Sequence, residues 1–109
     1  MKLSKTDNKI NQLFGAILLL KDTNEARRFF RDLLTEKELR EFANRWQVAQ
    51  LLNKKMPYTQ IEQKTGMSST TIARVQKWLT KGMGGYRLML NKAANHHHGH
   101  SSSFEKGLC

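Results

Sequence analysis

This 109-residue chain has one cysteine, one proline and nine acidic residues, and each scarcity excludes something. A lone Cys109 cannot close an internal disulfide, so the fold rests on packing and a reducing, cytoplasmic setting is expected. The longest apolar run, Ala16 to Leu20, is far too short to span a bilayer and has charged neighbours, so no membrane partner is expected. The start, MKLSKTDNK, has no apolar h-region, and secretion is not expected. There is no convincing strand run, no internal repeat and no glycine-rich phosphate loop. The acids of the first half sit near helix starts or on solvated faces, where capping and solubility explain them, so no enzyme is expected. His96, His97, His98 and His100 form the one cluster with metal-ligand chemistry. They lie in NHHHGHSSS, part of a segment 93–109 that reads as a disordered tail without the fixed support a metal site needs, so neither metal nor cofactor is expected.

Base is what the chain has in excess. There are 19 Lys and Arg, and they are unevenly spread. Residues 1–53 hold 10 basic and 7 acidic residues, a net of +3, whereas residues 54–109 hold 9 and 2, a net of +7. Positive charge concentrated on one half is the footprint of a surface that displaces counterions from nucleic-acid phosphates.

Hydrophobic periodicity predicts an all-helical domain over residues 1–92. Ile10, Leu13, Phe14, Ile17 and Leu18 recur at helical spacing, as do Ala26, Phe29, Phe30, Leu33 and Leu34. The second helix is expected to begin at Thr23, with Asp22 and Glu25 at its positive end. A third is expected to begin at Thr35, with Glu38 completing a capping box, and to run to about Lys55, where Pro57 stops it. These stripes carry more Leu and Phe than a lone chain of this size buries, which predicts a homodimer.

Residues 58–79, YTQIEQKTGMSSTTIARVQKWL, predict two short helices around a glycine turn, the layout of a helix-turn-helix whose second helix lies in the DNA major groove. Thr59 is read as the N-cap of the first helix with Glu62 closing a capping box, Gly66 as its terminator, and Ser68 and Ser69 as the restart. Ile61, Thr65, Met67, Ile72, Val75 and Leu79 are spaced to bury one face. The opposite face is small, polar and basic. Ser68, Ser69, Thr70, Thr71 and Lys77 are the candidate DNA-facing residues, with Thr59 and Gln60 on the backbone. Beyond this motif, Lys81-Gly82-Met83-Gly84-Gly85 reads as a flexible joint before one short amphipathic helix.

Leu33-Leu34-Thr35-x-x-Glu38, then Phe42, Arg45, Val48, Leu51-Leu52, Met56, Ile61, Gly66, Thr71-Ile72 and Arg74 resemble the tryptophan repressor family. The stretch from about Leu13 to Leu90 is similar to its YerC/YecD-type bacterial branch. The resemblance implies an intertwined all-helical dimer with a helix-turn-helix and the role of a bacterial transcriptional regulator, expected to be a repressor. In that family an amino acid is held between the central and recognition helices by a threonine and two arginines, which match Thr35, Arg45 and Arg74. The spacing from Arg45 to Leu51-Leu52 is one residue shorter here, Val75 replaces a glycine beside the ligand, and Trp78 replaces a small residue. These departures argue for a small acidic effector other than tryptophan, or a cleft filled by the chain's own side chains. Two plainer roles stay open, a salt bridge from Arg45 to Glu41 or Glu38 and a phosphate contact by Arg74. The competing functions are a non-specific architectural DNA- or RNA-binding protein and a module whose apolar helices engage another protein.

Overall fold

The computed structural model describes residues 4–99. It consists of six helices: α1 (Lys5–Ile17), α2 (Thr23–Leu33), α3 (Glu36–Asn53), α4 (Tyr58–Thr65), α5 (Ser69–Lys81) and α6 (Gly85–Gly99). They fall into two compact units, divided within α3 between residues 40 and 41. None of the helices among the described residues is long and apolar enough to cross a membrane.

In the N-terminal unit each helix start is written in local chemistry. Ser4 and Asp7 form a capping box at α1, the Asp7 amide donating to Ser4 Oγ (3.0 Å) and the Ser4 amide to the Asp7 carboxylate (3.3 Å). Asp22 caps α2 by accepting from the Glu25 amide, and the Glu25 carboxylate accepts from the Lys21 amide. Thr35 caps α3, its hydroxyl accepting from the Glu38 amide (3.1 Å) while Glu38 Oε1 accepts from the Thr35 amide (2.9 Å). These bonds hold the Glu38 carboxyl below its usual pKa, and the Arg40 guanidinium, with Arg31 beyond it, does the same for Glu36. The expected apolar stripes are present, yet no residue from 4 to 40 is buried.

The C-terminal unit has a core. Val48, Ala49, Leu51 and Leu52 of α3, Ile61 of α4, Ile72, Val75 and Leu79 of α5 and Leu90 of α6 are buried together, with Trp46, Met56, Met67 and Tyr86 packed at the margin. α3 ends at Asn53, two residues before the expected Lys55. The Met56 amide donates to the Leu51 carbonyl and the Lys55 amide to that of Leu52, while Lys55 adopts a left-handed φ of 66°.

Two further expectations need correction. Thr59 does not cap α4 and no capping box forms with Glu62. Pro57 occupies the cap, its ring holding φ at −62° so that its carbonyl accepts from the Gln60 and Ile61 amides, and the helix starts one residue before Thr59. The last helix is not short either, since α6 runs from Gly85 to Gly99. The side chains of His96, His97 and His98, and residues 100–109 including His100, lie outside the described part.

Candidate nucleic-acid interface and effector cleft

Gly66 sets the angle between α4 and α5. It sits at φ 75°, a region glycine enters without steric cost, and its amide closes α4 on the Glu62 carbonyl at 2.8 Å. Two residues on, Ser68 Oγ accepts from the Thr71 amide at 3.2 Å and starts α5. Ile61, Ile72, Val75 and Leu79 fasten both helices to the core as the spacing predicts, with Thr65 and Met67 half-buried. Ser69, Thr70, Ala73, Arg74 and Lys77 are all exposed. The face so presented holds hydroxyls, a methyl, a guanidinium and an ammonium, and no carboxylate.

Thr59 and Gln60 lie exposed in the first turn of α4, whose N-terminus no side chain caps. The Tyr58 and Thr59 amides precede the first bonds of this helix, a favourable place for a phosphate oxygen. Thr71 departs from the rest of the set. It is half-buried, accepts from the Ser68 hydroxyl at 3.2 Å and lines a cleft along one flank of α5.

That cleft, about 440 Å3, is lined by Glu41 and Arg45 of α3, Met67 and Thr71 at the turn, Arg74, Val75 and Trp78 of α5 and Tyr86 of α6. The two arginines read as a candidate clamp thus share one cavity. Arg45 forms no ion pair with Glu41, and its guanidinium lies 5.7 Å from the centre of the Phe42 ring instead. Thr35, the third candidate, belongs to the N-terminal unit, where its side chain is occupied as the cap of α3. Val75 is 2% exposed and forms floor, while Trp78 stands half-exposed as a wall, so these two side chains narrow the cleft and leave it open.

Trp78 also borders a second, apolar groove of about 570 Å3 with Trp46, Met83, Tyr86 and Met89. The Lys77 ammonium lies 5.3 Å from the centre of its ring. No local spacing announces this groove, because its residues come from α3, α5, the joint after α5 and α6.

Comparison with known proteins bears on the family and the fold. The profile of the Trp repressor protein family matches residues 8–94. The uncharacterised protein YerC of Bacillus subtilis (strain 168) is 41% identical over 93 residues, covering 84% of this chain and 89% of its own. A TrpR-like protein from Eubacterium eligens ATCC 27750 has a crystal structure that superposes with a TM-score of 0.78 at 39% identity, covering 80% of this chain and 90% of that one. A structure from Staphylococcus aureus gives 0.75 at 36% identity, covering 78% and 85%. With a family match over most of its length, a YerC relative at this identity and TrpR-like structures of the same fold, the chain belongs to the Trp repressor family, in its YerC-type branch.

Proposed function

We propose that this protein is a sequence-specific, dimeric DNA-binding regulator of transcription that acts as a repressor. The observation that carries this reading is the outer face of α5, where Ser69, Thr70 and Lys77 stand exposed without a carboxylate, fixed from behind by Ile72, Val75 and Leu79. Small side chains permit close approach of backbone to the groove, hydroxyls bond base edges and phosphates, and the ammonium displaces a counterion. Thr59 and Gln60 at the uncapped start of α4, and Ser68 at the turn, are assigned to the DNA backbone. Thr71 bridges the DNA face and the cleft. One recognition helix reads few base pairs, so a two-fold dimer reading half-sites about 34–36 Å apart supplies the specificity.

The cleft containing Arg45 and Arg74 is assigned to a small acidic effector other than tryptophan. Two guanidinium forks suit a carboxylate, and Val75 and Trp78 line the cleft where the family resemblance implies a glycine and a small residue beside the ligand.

Selection from random duplex DNA at near-physiological salt tests the main reading. Enrichment of a palindrome is expected, and Lys77→Ala is expected to weaken binding to every sequence and reduce the salt slope by about 1. Steep salt dependence without enrichment is the signature of the architectural alternative, which the charge of the C-terminal half also suits. A thermal-stabilisation screen of amino acids and other small acids, repeated on Arg74→Gln, tests the effector.

A further inference from the structure

A third cleft lies along the other flank of α5. It is lined by Leu52 and Asn53 of α3, Lys55 and Met56 of the following turn, Tyr58 of α4, Gln76, Leu79 and Thr80 of α5 and Arg87 of α6, and encloses about 280 Å3. We propose that it binds a phosphate group carried by a small molecule.

Two independent observations support this assignment. Lys55 has the one positive φ among described residues other than glycine, at a helix-terminating position where glycine fits better. That turn places Lys55 on the lining of the cleft, where it is one of two cationic residues. Separately, Arg87 Nη1 donates to Asn53 Oδ1 at 2.8 Å, a bond linking residues 34 positions apart. It fixes the plane of the guanidinium and leaves its other N–H groups available.

The remaining lining agrees. Tyr58 and Gln76 add donors, and no carboxylate is among the lining residues. Thr80 spends its proton on the Gln76 and Lys77 carbonyls. A guanidinium fork matches two phosphate oxygens and a lysine serves a third as a point charge. A phosphomonoester, carrying about −1.5 to −2 near neutral pH, satisfies both cations where a carboxylate satisfies one. Leu52, Met56 and Leu79 supply apolar surface for the rest of a small ligand, of sugar or nucleoside size. The lining includes none of the residues assigned to the DNA face, although Tyr58 adjoins Thr59 at the start of α4.

A DNA backbone phosphate has the same chemistry, and the experiment separates the two sources. The full chain is titrated with ribose 5-phosphate, adenosine 5′-monophosphate and inorganic phosphate, against chloride at matched ionic strength, while backbone amide shifts are followed. Lys55→Gly removes the ammonium in a residue that suits the turn, Arg87→Gln removes the fork, and Lys37→Gln, exposed and outside every cleft described, is the charge control. Shifts are expected at Asn53, Lys55, Tyr58 and Arg87, and phosphomonoester affinity is expected to fall about tenfold in Lys55→Gly and be unchanged in Lys37→Gln. Equal shifts from chloride, or no loss in Lys55→Gly, overturn the proposal. So does a loss of duplex affinity in Lys55→Gly without any phosphomonoester binding, which makes the cleft a seat for DNA.

Discussion

In the N-terminal unit Phe14 is 54% exposed and Leu18 84%, whereas in the C-terminal unit Ile61 and Ile72 have no exposed surface at all. Both units are helical, and the first has the better capping chemistry. What separates them is closure. α4 and α5 turn back through Gly66 and fasten to α3 and α6, so one chain surrounds its own apolar side chains. α1 and α2 present comparable stripes that nothing within residues 4–40 buries. Caps and periodicity are enough to specify helices, but a core needs surfaces that face each other, and in the N-terminal unit the facing surface is expected to belong to a second copy.

The largest expected effects come from removing the closed core. Ile61→Ala or Ile72→Ala is expected to cost about 3 kcal/mol, read from urea unfolding, because each leaves a cavity in a site with no solvent contact. Phe14→Ala and Leu18→Ser distinguish a lone chain from a pair. If the N-terminal faces are covered by a second copy, each substitution destabilises by about 2 kcal/mol and sedimentation shows dissociation at concentrations where the parent stays paired. No change in mass or melting temperature at any concentration leaves those faces without a partner and breaks the comparison.

Smaller effects probe how each unit begins and ends its helices. Gly66→Ala is expected to destabilise by about 1 kcal/mol, since alanine must adopt a φ of 75°, and Lys55→Gly to stabilise by a similar amount. Chemical denaturation of the pair of variants checks both signs. Thr35→Ala removes the reciprocal cap of α3 and is expected to cost about 1 kcal/mol, visible as fraying in amide exchange at Glu36 to Leu39.

The smallest effect is electrostatic. Glu36 and Glu38 both sit below their ordinary value of 4.5 when folded, so their ionised forms favour the folded state. Their contribution is complete above that value and disappears as the pH falls through the lowered folded values. Acid titration followed by exchange is therefore expected to loosen the start of α3 in the N-terminal unit before the C-terminal core. Arg40→Gln should move the Glu36 transition back toward its ordinary range.

Particular residues explain what the sequence made legible. Asp22, Thr35, Gly66 and Ser68 act within four positions of themselves, and their roles were readable because side-chain oxygens and a missing Cβ have local consequences. The buried face of α4 and α5 was readable for the same reason, through its period. Thr59 misled because the pattern Thr-x-x-Glu competes with a proline two residues earlier, and a fixed φ outranks an optional hydroxyl cap. The Ser4 and Asp7 box was equally local and went unread. Clefts were harder to see. Arg45 and Arg74 were brought together by family resemblance, whereas Asn53 and Arg87 are 34 positions apart and nothing local announces their bond. The apolar groove beside Trp46 depends on where α6 returns, which composition does not encode.

Trp78 also has a spectroscopic consequence. Its indole borders the arginine cleft on one side and the apolar groove on the other, with the Lys77 ammonium over its ring, while Trp46 touches only the groove. The two fluorophores therefore sample different subsets of the same surface. A ligand entering the arginine cleft perturbs one emitter, and a partner seated in the groove perturbs both. With Trp46→Phe and Trp78→Phe in hand, the chain reports by its own emission which of two events has occurred, without any label.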